Sequence, residues 1–239
     1  MTPPLTLHAW LRFDVVERLL PAGTRSLLEI GAGLGSAGVL LAQRYEYVGL
    51  EPDRVSFAVA ARRIGELGTV LELSAEDYRP HEAFDIACAF EVLEHIENDR
   101  AALASWLRLV RPNGWLLVSV PAGAGRFAAG DVNVGHYRRY DRADLVSALE
   151  AAGLDDIQVV TYGFPLGYAL EAIRNFGARR AARPGSRDER TAASGRWLQP
   201  PASAAQLTRF ASLPFRYAQR PFASTAWGTG LVARARKPS

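Results

Sequence analysis

The stretch Ser26-Leu27-Leu28-Glu29-Ile30-Gly31-Ala32-Gly33-Leu34-Gly35-Ser36-Ala37-Gly38 decides how the rest of this chain is read. An apolar run enters a glycine cluster and continues as Val39-Leu40-Leu41-Ala42, the order of a strand, a tight turn and a helix. Glycines at such a turn bring backbone close to a ligand, and the helix start offers unpaired N–H groups. Beyond it, Tyr47-Val48-Gly49-Leu50 closes on Glu51-Pro52-Asp53. A carboxylate at the end of a second strand accepts ribose hydroxyls in nucleotide-binding α/β sheets. Gly33-Leu34-Gly35-Ser36-Ala37-Gly38 also fits dinucleotide spacing, so a nicotinamide or flavin site competes. Against it, the first strand runs straight into Gly31, which leaves Ser36 in the third glycine place.

Working outward, Leu7, Trp10, Leu11, Val15 and Leu19 recur at helical spacing, and Pro21-Ala22-Gly23 ends that helix. His8 and Trp10 read there as packing residues. Downstream, Asp53 caps a helix through Ile64, and Val70-Leu71-Glu72-Leu73 is a short third strand. Phe84-Asp85-Ile86-Ala87-Cys88-Ala89-Phe90 and Trp115-Leu116-Leu117-Val118-Ser119-Val120 are strands four and five, with a helix from about Arg100 to Leu109 between them. The loop from Ala122 to Tyr140 is glycine-rich, and Asp141 with Asp144 has capping-box spacing. Ile157–Tyr162 is a sixth strand, and Gly228–Ala235 is a last strand added to the sheet. Between them, residues 166–180 and 204–213 read as helices, and Arg183 to Arg196 reads as mobile. The sum is an α/β, doubly wound sheet with an N-terminal helix and a helical insert. We divide it into a cap, 1–23, a cofactor-binding domain, 24–162 with 226–239, and a basic insert, 163–225, that shapes an acceptor site.

The 239 residues suffice for one such domain, and a single cysteine, Cys88, excludes an internal disulfide. No apolar run has the length of a spanning helix, and a cytoplasmic protein is expected. The net charge is +3, yet residues 174–220 hold ten arginines against Asp188 and Glu189. That local +8 leaves −5 for the remainder. Such a patch suits an anionic substrate, a phosphate-bearing carrier, a membrane surface or nucleic acid, and equally a solvated surface.

Leu28–Gly35, Gly49–Asp53, Phe84-Asp85-Ile86, Glu91-Val92-Leu93-Glu94-His95 and Leu109–Leu116 together resemble the class I S-adenosylmethionine-dependent methyltransferases. The resemblance implies a seven-stranded sheet with the last strand antiparallel between strands five and six. It implies S-adenosyl-L-methionine as cofactor, over Gly31, Ala32, Gly33 and Gly35, with Glu29 near its amino group. Glu51 and Pro52 then sit at the ribose, Ala75 and Glu76 at adenine, and Phe90 and Glu91 beside the cofactor. Ser74 stands where many relatives have aspartate, which leaves the adenine contact divided between Ala75 backbone and the Glu76 side chain.

A sulfonium methyl is already electrophilic, so the protein has to align an acceptor and, for a hydroxyl, remove a proton. Gly135-His136-Tyr137-Arg138-Arg139-Tyr140 resembles a string in small-molecule and glycan-modifying members of the family. His136 is the expected base, with His95 as the other candidate and Tyr137 and Tyr140 shaping the pocket. His8, His81, His95 and His136 show no recurrent ligand spacing, and no metal is expected. The expected acceptor is a small molecule or a saccharide, with an anionic group where the arginines meet it. N-methylation, lipid-linked, RNA or protein acceptors and a non-catalytic binding module are the alternatives, with no stable nucleic-acid partner expected and peripheral membrane contact open.

Overall fold

The computed structural model describes residues 3–180, 185–187, 189–192 and 199–239. Half of the stretch expected to be mobile, Arg183 to Arg196, lies outside them. Seven strands form one sheet: β1 (Ser26–Ile30), β2 (Glu46–Leu50), β3 (Thr69–Leu71), β4 (Phe84–Phe90), β5 (Val110–Pro121), β6 (Asp155–Tyr162) and β7 (Gly230–Arg236). Their spatial order is β3-β2-β1-β4-β5-β7-β6. The first five run parallel, while β7 is antiparallel to both β5 and β6. This is the expected seven-stranded topology.

Eight helices are described in full: α1 (Leu7–Leu19), α2 (Gly38–Ala42), α3 (Arg54–Ile64), α4 (Asp99–Leu107), α5 (Ala129–Val134), α6 (Arg142–Ala151), α7 (Leu166–Arg180) and α8 (Ala205–Ala218). Because strand side chains alternate, β5 sends Leu116, Val118 and Val120 to one face and Leu117 to the other. The first set packs with Leu103, Trp106, Leu145 and Leu149 of α4 and α6. Leu117 joins Leu11, Val15 and Leu41 of α1 and α2. Covering on both faces is what a parallel sheet with near-continuous apolar strands requires. Trp106 is fully buried, and truncating it to alanine would cost about 3–5 kcal/mol.

Local chemistry sets the element ends. Asp53 caps α3, its Oδ2 accepting the Ser56 N–H at 2.9 Å. Asp141 precedes α6 as expected, but its side chain does not cap the helix. Its Oδ1 accepts the Ala124 N–H at 3.1 Å instead, tying α6 to the preceding loop. That loop is also more ordered than its glycines suggest, because α5 crosses it and ends at Gly135 with φ 85°.

Candidate active site

At the carboxyl ends of β1, β2 and β4 lies a cavity of about 1010 Å³, closed over by α1, α7 and the α5 loop. Parallel sheets gather ligands at this edge. The three glycines after β1 have positive φ, each for its own reason. A Cβ on Gly33 would meet nothing within 4 Å, so this residue keeps the cavity floor open. A Cβ on Gly35 would lie 2.9 Å from Ala60 Cα of α3, and one on Gly31 would lie 2.7 Å from a Val92 methyl. Gly35 therefore serves packing and does not line the cavity.

Glu51 follows β2, its Oε2 accepting the Gly33 N–H at 2.7 Å and its Oε1 the Asp53 N–H at 2.9 Å. Glu29, in β1, accepts the Tyr47 hydroxyl at 2.6 Å. Burial raises its carboxyl to about 7, opposed by the Tyr47 hydrogen bond and Arg12. Ala32, Pro52, Glu76 and Phe90 line the same end of the cavity. Ala75 is buried in the core instead, so of the two adenine candidates only Glu76 reaches the cavity.

The middle of the cavity is polar. Glu91, immediately after β4, is a non-glycine residue at φ 57°. Such a conformation costs energy and persists where surroundings fix it. Here Ser119 accepts the Glu91 N–H at 3.0 Å through its carbonyl, and its hydroxyl donates to Glu91 Oε1 at 3.0 Å. Tyr162 donates to the same oxygen at 3.2 Å, and Arg12 lies 3.6 Å away. Burial opposes the Glu91 charge, but Arg12 and the nearby histidines hold its carboxyl below the usual value. His8, one turn before Arg12 on α1, is hydrogen-bonded to Thr229 at 2.9 Å. Its burial, with Arg12 adding to the effect against Glu91, lowers it to about 4.

At the far end, His136 is only 6% exposed. Its Nδ1 lies 3.1 Å from Asp131 Oδ1, and its Nε2 is 3.8 Å from Glu94 Oε1. Asp131 also accepts the Ala128 N–H at 2.9 Å and Arg139 Nε at 2.9 Å. Burial alone would raise Asp131, yet His136 and Arg139 hold it well below the carboxylate range. Arg139 in turn pairs with Glu171 of α7 at 3.0 Å, which fixes the loop to the insert. Glu94 is fully buried with neither carboxylate oxygen hydrogen-bonded, and burial together with Glu91 and Asp131 pushes it well above its ordinary value. His95 packs edge-on to His136 at 4.6 Å and is lowered to about 3 by burial and by His136.

The structure thus brings His95 and His136 together in the cavity and leaves both expected tyrosines outside it. Tyr140 is buried on the other side, donating to Asp99 Oδ2 at 2.9 Å, so it braces α4 and does not shape the pocket. The ring of Tyr137 lies under the Arg187 guanidinium at 3.9 Å. Trp10 packs in the core edge-on to Phe13, whereas His8 lines the cavity. Histidines scattered in sequence also converge: donor atoms of Glu94, His95 and His136 all lie within 4.8 Å of one another, a set able to hold a metal ion. Sequence reading missed Asp131, Glu94, Arg12 and Glu171. For Arg12 a signal was present, since a histidine and an arginine four residues apart interrupt the apolar surface of α1.

A seven-stranded sheet of this order, with an acid after β2 and an open glycine floor after β1, defines the class I methyltransferase fold. Residues 9–159 match the family model described as a methyltransferase domain, and the chain belongs to the S-adenosylmethionine-dependent methyltransferases. A probable S-adenosylmethionine-dependent methyltransferase of Mycolicibacterium smegmatis is 30% identical over 150 residues, 60% of this chain and 58% of that protein. A ubiquinone biosynthesis O-methyltransferase of Thiobacillus denitrificans is 31% identical over 116 residues, 46% of this chain and 50% of that one. The chain therefore spans little more than half the length of these curated relatives. Among solved structures, a methyltransferase of Thermotoga maritima, described as a possible histamine N-methyltransferase, superposes with a TM-score of 0.62 at 19% identity, covering 96% of this chain and 89% of its own. Phosphoethanolamine N-methyltransferase 2 of Haemonchus contortus, solved with S-adenosyl-L-methionine, gives 0.59 at 17% identity, covering 95% of this chain and 53% of its own. At these identities the likeness is one of fold.

Proposed function

We propose that this protein transfers a methyl group from S-adenosylmethionine to a hydroxyl of a small or saccharide-like acceptor, with His136 as general base. The Asp131–His136 pair carries the proposal. Asp131, ionised by its partners, holds the Nδ1 proton of His136, which leaves Nε2 free to accept a proton. When bound, the cofactor supplies an electrophilic methyl carbon on its sulfonium. Gly31, Gly33, Glu29 and Glu51 would hold it, and the open space at Gly33 and the two paired acids fit such a group. Oxygen as the acceptor atom draws support from the relative described as an O-methyltransferase. The cap, 1–23, and the insert, 163–225, contribute His8, Arg12, Leu170 and Arg174 to the cavity wall, which supports their reading as the parts that select the acceptor. A lone buried Cys88 fits the reducing cytoplasm.

The acceptor is to be found by incubating extracts with cofactor labelled on the methyl group and identifying the product by mass spectrometry. With it in hand, His136→Ala should slow single-turnover transfer roughly ten- to a thousandfold with cofactor affinity unchanged. Transfer at the normal rate in the folded variant overturns the base assignment. The convergence of Glu94, His95 and His136 favours a second reading, in which a divalent ion at these residues would act as a Lewis acid on the acceptor hydroxyl. Chelation separates the two: turnover survives it under the first, and is lost and restored by added Mg²⁺ or Zn²⁺ under the second.

A further inference from the structure

Helix α8 is turned inside out. A surface helix ordinarily lays its apolar face on the core. The face that α8 lays against α1 carries mostly small and polar side chains, with Phe215 its one large apolar contact to the core. Ala205 and Ser212 are buried there, Thr208 donates to the Leu5 carbonyl at 2.9 Å, and Gln219, just past the helix, donates to the Leu11 carbonyl at 3.1 Å. On the opposite face Leu207, Phe210 and Tyr217 follow at three- and seven-residue steps and are 70%, 62% and 64% exposed. Leu213 extends the same stripe. Such an exposed apolar face on one helix marks an interaction surface.

The charges beside it indicate the partner. Arg209, Arg216 and Arg220 recur along one flank of the stripe: Arg209 is exposed, Arg220 lies over the Tyr217 ring at 4.4 Å and 3.6 Å from Asp14, and Arg216 is held against the Trp10 ring at 4.6 Å. No carboxylate side chain follows Glu189 in the sequence, and residues 174–220 carry the local +8. An apolar stripe of leucine and aromatic residues edged by arginines is the composition of a helix lying in a membrane interface. Among the described residues no helix is long and apolar enough to cross a membrane. We infer that α8 docks this protein on an anionic lipid bilayer, with Leu207, Phe210, Leu213 and Tyr217 entering the headgroup boundary and Arg209 meeting lipid phosphates. Leu5, on the side of α8 away from the stripe, touches the helix and also lines the active-site cavity, so α8 lies between the docked lipid and that cavity wall.

Co-sedimentation of the full chain with vesicles tests this. Vesicles of equal parts phosphatidylglycerol and phosphatidylcholine should carry the protein down, and pure phosphatidylcholine vesicles far less. Leu207→Ser with Phe210→Ser should weaken binding at least about tenfold, and Arg209→Glu severalfold, the latter effect fading as salt rises. These side chains are exposed, so thermal unfolding should match that of the parent, and Leu67→Ser, at the other edge of the sheet, should bind normally. The inference is overturned if anionic vesicles leave the protein in solution, or if the double variant binds as the parent does. It is equally overturned if the parent is a dimer by light scattering that the double variant converts to monomer, because a second copy then covers the stripe.

Discussion

With the cofactor placed as proposed, Glu29 would tie its binding to pH. Its carboxyl sits at about 7 in the folded protein against 4.5 in its ordinary state. The folded value is the higher one, so this residue's contribution to stability is fully present below about 4.5 and is lost as pH rises through about 7. The loss is at most roughly 3 to 4 kcal/mol, from a shift of that size at about 1.4 kcal/mol per unit. A cationic amino group beside Glu29 favours its ionised form, so binding expels a proton whenever Glu29 is protonated. Affinity for S-adenosylhomocysteine should therefore rise about tenfold per pH unit on approaching pH 7 and level off above it. Calorimetry in two buffers of different ionisation enthalpy should detect the released proton at pH 6, and Glu29→Gln should abolish both effects. Glu51 was legible in the sequence because it closes a recognisable apolar strand, and Glu29 through the family resemblance. Asp131 and Glu94 were not, because their roles depend on partners such as His136 and Arg139 that only the folded loop brings to them.

At the scale of the element, the turn between β1 and α2 divides its glycines between ligand and packing. Gly33→Ala fits the protein sterically, with a strain of about 1–2 kcal/mol for its positive φ, but it projects a methyl into the cavity. Gly35→Ala adds the same strain and a clash with the Ala60 backbone. Gly33→Ala should therefore cost cofactor affinity more than thermal stability, and Gly35→Ala should cost more stability than its neighbour. Paired titration and unfolding measurements on the two variants check the ordering. The glycine spacing revealed the turn but not this division, since Ala60 comes from a different helix. The loop after β5 shows the same limit. His136 and Tyr140 stand four residues apart in one string, yet α5 and the Arg139 ion pairs rotate one into the cavity while the other braces α4.

For the molecule as a whole, the parallel strands were readable because they are compact apolar runs and every parallel crossover but β3 to β4 carries a helix, whereas the place of the last strand followed from the family resemblance. The insert was readable only as two helices, because its composition does not say which face of α8 meets the core. The last strand, β7, completes the fold between β5 and β6. Leu231 there is buried against both neighbours, so Leu231→Ala should cost about 2–5 kcal/mol in denaturant unfolding. The exposed Leu207→Ala should change stability by less than about 0.5 kcal/mol.

The hydrogen bond between His8 and Thr229 has a consequence for synthesis. It joins α1 to the residue that leads into β7, across 221 positions of sequence, inside the cavity itself. A nascent chain therefore carries its glycine turn, Glu29 and Glu51 long before the chamber around them can close. The chamber is complete only when β7 lies between β5 and β6. Donor bound at that moment locks the finished sheet by mass action, by RT ln(1 + [L]/Kd). Protein mixed with excess S-adenosylhomocysteine should therefore resist limited proteolysis longer than protein without it.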